Sequence, residues 1–200
     1  MVFDQALTTL SGQIKITDPY PAEHVTEKQL TNSQAKQSAA LMRVNHTGEI
    51  CAQALYHGQS IVSRSETVQQ KLQQAAIEEG NHLAWCKQRL NELHSHASYL
   101  NPFWYAGSFC IGMVAGMIGD AWSLGFVAET EKQVVKHLDK HLHLLPRDDE
   151  RSRCILKQME QDEARHRDEA LQLGARILPD PIKIAMSWSS KIMVNVSYWI

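Results

Sequence analysis

Four glutamates and two histidines carry the chemistry that can be read directly from this chain. Glu79 with His82 and Glu163 with His166 form two Glu-x-x-His pairs, and a lone glutamate precedes each, Glu49 by 30 residues and Glu131 by 32. On a helix, residues three apart lie one above the other, so a Glu and a His at that spacing can reach one point. Four carboxylates and two imidazoles are an oxygen-rich donor set that suits iron or manganese, with nothing in it to choose between those two. Zinc more usually takes fewer ligands in a tighter nitrogen and sulfur set. Two redox metals bridged by carboxylates are suited to binding dioxygen between them.

With thirteen glutamates in the chain, a chance Glu-x-x-His is expected; the phase of the residues around these two is the stronger signal. Leu156, Met159, Glu163, His166, Ala170 and Leu173 follow one another in steps of three and four, which sets both polar groups in the middle of an apolar stripe. Ala75, Ala76, Glu79, His82, Leu83, Cys86 and Leu90 repeat the pattern. Glu131 shares its side of the turn with Val127, Val134, Val135, Leu138 and Leu142, whereas Glu129 falls nearly 200° away at about 100° per residue and is expected to be solvated. Glu49 sits among Met42, Asn45, His46, Ala52, Gln53 and Tyr56, a weaker stripe at the same spacing. Burying four carboxylates together without a counter-charge costs on the order of several kcal/mol each. Two divalent cations would balance them and leave neutral imidazoles to complete the coordination.

Asp162 directly precedes Glu163, and Arg165 directly precedes His166. A carboxylate in that place can accept the outer N–H of a metal-bound histidine and fix its tautomer, and the partner expected for Asp162 is His82 across the bundle. His137, His141 and His143 cluster where a helix C-terminus favours polar or positive groups and are not expected to be ligands.

These residues need helices to carry them. The pattern predicts an irregular arm over residues 1–31 with room for a short helix, followed by a helical domain over 32–200. The first long helix is expected from a cap at Asn32 or Ser33 to about Ser63, and the second from Ser65 to Leu93. Pro102 after Asn101 opens an apolar helix running to Gly119, without a single charge in its 18 residues. A further helix is expected from Asp120 to His143, stopped by Pro146, and another from Asp148 to Leu178. Beyond Pro179 and Pro181, Ile182, Ala185, Met186, Met193, Val196 and Ile200 line one face of a last amphipathic segment, with Trp188, Tyr198, Trp199, Lys183 and Lys191 beside them. The fold expected is all-α: a ferritin-like four-helix bundle of two short-looped pairs joined by a long apolar crossover helix, with an amphipathic C-terminal helix. The Gly-x-x-x-Gly at 112 and 116 permits close helix packing. The crossover and C-terminal segments are each expected either to pack on the bundle or to lie in a membrane interface.

Composition narrows the function classes. With 20 basic and 22 acidic residues the chain is near neutral, which gives no electrostatic case for nucleic acid. Cys51, Cys86, Cys110 and Cys154 stand singly, without Cys-x-x-Cys spacing, as small hydrophobes. Residues 1–10 lack a signal-peptide pattern, so retention in the cytoplasm is expected.

The segments Arg43-Val-Asn-His-Thr-Gly-Glu49, Glu79-Gly-Asn-His82, Gly119-Asp-Ala-Trp-Ser-Leu-Gly-Phe-Val-Ala-Glu-Thr-Glu131 and Met159-Glu-Gln-Asp-Glu-Ala-Arg-His166 resemble the demethoxyubiquinone hydroxylase family in its bacterial form. These are di-iron monooxygenases of ubiquinone biosynthesis, and the match covers nearly the whole chain. The resemblance implies two iron ions held by Glu49, Glu79, His82, Glu131, Glu163 and His166, with Glu79 and Glu163 as bridges. It further implies hydroxylation of a polyprenylated demethoxyubiquinol with O2, peripherally at the cytoplasmic face of the inner membrane. The partners implied are that quinol, O2, an external electron donor, the membrane surface and an accessory lipid-binding protein. The donor is reduced nicotinamide or the quinol itself, and no Gly-x-Gly-x-x-Gly is present to bind a dinucleotide. One departure is Leu138, where some members carry Tyr; a redox role for that Tyr does not transfer. The alternative is a ferritin-like iron-binding or ferroxidase protein on the same ligand set, against which the apolar stretch 102–119 argues.

Overall fold

Thr31 opens the first long helix. Its hydroxyl accepts from the Gln34 backbone N–H while the Gln34 side chain accepts from the Thr31 N–H, a reciprocal cap. The cap expected at Asn32 or Ser33 therefore lies at Thr31, because only Thr31 has a glutamine three residues on to return the bond. In the computed structural model, which describes residues 2–12, 16–26 and 28–200, seven helices form and no strand does among the described residues. They are α1 (Val2–Ser11), α2 (Asn32–Val62), α3 (Glu66–Glu92), α4 (Asn101–Ile118), α5 (Asp120–Leu144), α6 (Glu150–Gln172) and α7 (Asp180–Trp199). Ser65 caps α3 and Asp149 caps α6.

The sixth helix ends earlier than its composition suggests. Expected to run to Leu178, it stops at Gln172, because Gly174 takes a left-handed φ of 94° and the Ala175 N–H turns back to the Ala170 carbonyl. The chain then returns along α5, where the Arg176 N–H donates to the Ala121 carbonyl at 2.8 Å. Gly125 makes that approach possible, since a Cβ there would strike the Arg176 carbonyl.

α2 pairs with α3 and α5 with α6, while α3 meets α6 across the bundle. The long connection, α4, lies along α2. This is the ferritin-like variant of the four-helix bundle. Gly112 and Gly116 face α2 and Gly58 faces α4, and a Cβ at Gly58 or Gly112 would meet the opposing backbone. The Gly-x-x-x-Gly thus serves packing within the protein. Asp120 fastens the two halves by accepting from the Arg64 and Ser65 backbone N–H groups at 3.1 and 2.9 Å.

Two apolar clusters fill the bundle, and a third, of Ile50, Ala54, Leu83 and Tyr105, joins α4 to it. Of the first two, one gathers Met42, Trp85, Leu138, Ile155, Leu156 and Met159, and the other Tyr56, Leu72, Leu124, Val127 and Ala170. On every helix of the bundle the acidic and imidazole side chains fall between them. The arm folds against α3, where the Thr17 N–H donates to Asn81 and Ala22 is fully buried in the first cluster.

Candidate metal centre

Each helix of the bundle delivers its share of one polar cluster. Glu49 comes from α2, Glu79 and His82 from α3, Glu131 from α5, and Glu163 and His166 from α6; none is more than 5 % exposed. Ligating atoms of Glu49, Glu79, His82 and Glu163 all lie within 4.8 Å of one another. His82 Nδ1 stands 3.0 Å from Glu163, 3.4 Å from Glu79 and 3.7 Å from Glu49. His166 Nδ1 stands 3.3 Å from Glu79 and 3.4 Å from Glu163. Glu79 and Glu163 are thus the carboxylates that reach both imidazoles, the position a bridging ligand would occupy. Glu131 joins from α5 beside Glu163, and the Tyr56 hydroxyl donates to it.

The close atoms are not hydrogen-bonded to one another. Both oxygens of Glu79 and of Glu163, Oε2 of Glu131, and Nδ1 of His82 and of His166 are buried without a partner among the described residues. Buried polar atoms are nearly always satisfied, so seven that converge at such distances form a set that could hold a metal ion. Electrostatics agree. Burial, then the neighbouring Glu79 carboxylate, pushes Glu49 well above the usual carboxylate range, and burial with Glu163 does the same to Glu131. For Glu79 burial also acts upward, but the close approach of Glu49, His166 and His82 outweighs it and holds it low. His82 and His166 are raised despite burial by the carboxylates around them. Protons or metal ions are the two ways to neutralise such a cluster, and its oxygen and imidazole donors fit two iron or manganese ions.

The outward ring nitrogens are held by a second carboxylate each. His82 Nε2 meets Asp162 at 3.2 Å, the contact expected from the sequence. His166 Nε2 meets Glu78 at 2.8 Å. Arg165 reaches both acids, at 2.9 Å to Glu78 and 3.1 Å to Asp162. Glu78 was missed, although its signal is the same as that of Asp162: an acid directly before the Glu of a Glu-x-x-His. Tyr56 was seen only as a stripe residue.

Other expectations need correction. Glu129 lies outside the cluster but is not solvated; its side chain is half-buried, accepts from Gln133 at 2.9 Å and pairs with Lys132 at 3.6 Å. It escapes the centre because of its phase and is covered because α7 crosses that side of α5. His141 stands in the last turn of α5 as expected but is buried there, and His46 meets Asn101 at 3.4 Å.

Above the cluster lies a cavity of about 440 Å³ with Glu49, Glu79, Glu131 and Glu163 at its floor. Trp104 and Ile111 of α4 form one wall, and Met186 and Met193 of α7 form part of the cover. The outer faces of the same helices expose Phe103 at 80 %, Trp188 at 63 % and Trp199 at 81 %. No helix of the described residues is long and apolar enough to cross a membrane.

Comparison with known proteins adds a family. The family model for ubiquinone biosynthesis protein COQ7 matches residues 36–197. A 3-demethoxyubiquinol 3-hydroxylase of Nitrosomonas eutropha is 52 % identical over 198 residues, 99 % of this chain and 95 % of that protein. Proteins of the same name from Nitrosococcus oceani and Xanthomonas campestris pv. campestris are 51 % and 53 % identical, covering 99 % and 97 % of this chain and 93 % and 89 % of theirs.

Proposed function

This chain belongs to the family of the ubiquinone biosynthesis protein COQ7, and from that premise we propose that it is a 3-demethoxyubiquinol 3-hydroxylase. The observation that carries the reading is an apolar cavity whose floor is four buried carboxylates. In the overall reaction one atom of O2 enters a ring C–H bond as hydroxyl and the other leaves as water. An external donor supplies two electrons with two protons.

We assign Glu49, Glu79, His82, Glu131, Glu163 and His166 as the residues that would hold two iron ions, Glu79 and Glu163 being the two that reach both imidazoles. When bound, the irons supply activation of dioxygen. The protein's own part is orientation and exclusion. Asp162 and Glu78 accept the Nε2–H of His82 and His166, which leaves each Nδ1 lone pair facing inward. Tyr56 holds one oxygen of Glu131, leaving the other free. The two apolar clusters that flank the carboxylates along the bundle keep water from them on those two sides.

We assign residues 32–200 as the catalytic unit and 1–31 as an arm, whose described residues meet α2, α3 and α4. The apolar path between α4 and α7 receives the isoprenoid tail, and the exposed aromatic and aliphatic groups of these helices rest in the interface at the cytoplasmic face of the inner membrane. A storage or ferroxidase role has no use for a cavity of that size lined by Trp104, Ile111, Met186 and Met193.

The test is iron analysis followed by incubation with a short-chain demethoxyubiquinol, O2 and reductant. Two irons per chain and conversion to the hydroxylated quinol are expected. Iron-loaded protein that leaves the quinol untouched while oxidising excess ferrous ion would instead mark a ferroxidase.

A further inference from the structure

Two polar side chains lining the cavity above the carboxylates are already engaged. The Thr130 hydroxyl donates to the Phe126 carbonyl at 2.9 Å, and the Gln133 amide donates to Glu129 and to the Lys183 carbonyl. Among the described residues, two residues that line the cavity carry a buried donor without a hydrogen-bond partner: Asn45 on α2, through Nδ2, and Trp104 on α4, through Nε1. Asn45 differs from Trp104 in being held by a second group. Its Oδ1 accepts from His141 Nδ1 at 2.9 Å, and the His141 ring is itself packed on His137 with centroids 3.9 Å apart. Asn45 and His141 are each 3 % exposed. Burial keeps both histidines neutral, His137 pushed down to about 4 and His141 to about 2, so a neutral His141 can donate through Nδ1 while the asparagine carbonyl is occupied and its NH2 is not.

A buried amide N–H left without a partner costs about 1–3 kcal/mol, and its survival beside a cavity indicates that an occupant of the cavity satisfies it. Position narrows the occupant's chemistry. Asn45 lies four residues before Glu49 on the cavity-facing side of α2, about 6 Å along the helix at 1.5 Å per residue. An oxygen-bearing aromatic ring spanning that distance would have one oxygen at Asn45 and a ring carbon toward the carboxylates. We propose that Asn45 is a substrate-binding residue whose amide N–H grips one ring oxygen of the quinol, and that His141 is the positioning residue that aims it. The inference rests on the quinol hydroxylase reading and names the group that orients the ring within it.

A double-mutant cycle between protein and ligand tests this. Calorimetric titration of the iron-loaded protein under anaerobic conditions would use a short-prenyl methoxyhydroquinone and the two analogues that each lack one ring hydroxyl. The wild-type protein is expected to bind one of these analogues about five- to tenfold more weakly than the parent, the size of one hydrogen bond. In Asn45→Leu that ratio should collapse to near one, with iron content unchanged. His141→Leu should lower the ratio while leaving Asn45 in place, and His141→Gln, which restores a donor, should recover part of it. Trp104→Phe should leave the ratio as it is in the wild type. The proposal is overturned if the wild type binds both analogues as tightly as the parent. It is equally overturned if Asn45→Leu keeps the discrimination, or if Trp104→Phe is the change that erases it. Failure of the wild type to bind the parent quinol at all would instead remove the hydroxylase reading.

Discussion

Glu78 and Asp162 touch no metal in the proposed arrangement, yet iron affinity should depend on them. Each accepts from the outward nitrogen of one histidine, Glu78 from His166 at 2.8 Å and Asp162 from His82 at 3.2 Å. A hydrogen bond to a charged acceptor contributes about 1.5–3 kcal/mol. Both acids are shielded, with side chains 21 % and 18 % exposed, so solvent removes only part of that. In Glu78→Gln and Asp162→Asn an amide oxygen can still accept, at roughly half the strength, so each change should cost about 1–1.5 kcal/mol. At 1.36 kcal/mol per tenfold, that is about a tenfold loss of ferrous affinity, at the low end of the range for such outer partners. Glu78→Gln should cost more, because its contact is shorter and because hydrogen bonds from His166 and Arg165 pull its pKa down to about 2 against the opposing effect of burial. Anaerobic ferrous titration against a competing chelator reads the affinity. Arg165→Met is the control: its side chain is 46 % exposed, and a surface ion pair contributes about 0–1 kcal/mol, so its effect should stay below about fivefold. Ferrous binding by both amide variants within twofold of the wild type would refute the argument that these carboxylates set the histidine tautomers.

Glu131→Ala should lose iron and activity while Glu129→Ala keeps its iron, measured by metal analysis of purified variants; equal iron content in the two would break the assignment of α5's inward face. Arg89, 1 % exposed, pairs with the fully buried Asp149 at 2.8 Å and donates to Ser152 at 2.9 Å. Arg89→Ala strands that carboxylate at a cost of about 3–5 kcal/mol, so the thermal midpoint should fall by about 10 °C at 2–4 °C per kcal/mol, and a fall under about 3 °C would show the pair to be dispensable. His57, buried beside the Tyr105 hydroxyl at 3.1 Å, is pushed down to about 4 by burial. Its folded pKa lies below the unfolded value of about 6.5, so the neutral form's contribution is complete above pH 6.5 and is lost as pH falls toward 4. Relative to wild type, His57→Asn should therefore gain about 1.4 kcal/mol per pH unit between pH 6 and 5, read as a narrowing difference in denaturant midpoints; a pH-independent difference would mean that His57 is not buried neutral.

The residues that could be found from the sequence obey a local rule. Helical phase around Glu79, His82, Glu131, Glu163 and His166 needs only 3.6-residue periodicity, and the burial of all five follows from it. Asp162 was found by its place before Glu163, and the same rule applied to Glu78 would have found the partner of His166. Other features depend on meetings that no local pattern encodes. Arg89 has the composition of a surface residue near a helix C-terminus, and only the arrival of Asp149 from α6 makes it a buried anchor. Asn45 and His141, 96 residues apart in sequence, become a pair only when α2 and α5 face the same cavity. The end of α6 is marked by Gly174, a single glycine among helix-favouring residues, and its left-handed φ rather than composition stops the helix there.

α4 shows why periodicity alone could not decide between a spanning helix and a packed one. A helix apolar all round is ordinarily either fully buried or in lipid, and α4 is neither. Its glycines at 112 and 116 close on α2, Trp104 and Ile111 line the cavity, and Phe103, Val114, Met117 and Ile118 are exposed. Two of these surfaces bury apolar groups and the third exposes them, and together they use up the circumference. α7 has the same division, with Met186 and Met193 over the cavity and Trp188, Ile192 and Trp199 outside. Removing one such large side chain from water contributes about 1.5–3 kcal/mol, so the seven exposed groups named on the two helices suffice for reversible attachment to a lipid surface without a span. A prenylated quinol entering between α4 and α7 would then pass from lipid to the carboxylate floor along apolar surface throughout. Charging that outer face, as in Phe103→Glu with Trp188→Glu, should weaken pelleting with lipid vesicles while leaving turnover of a short-chain quinol intact; unchanged pelleting would refute attachment through these faces.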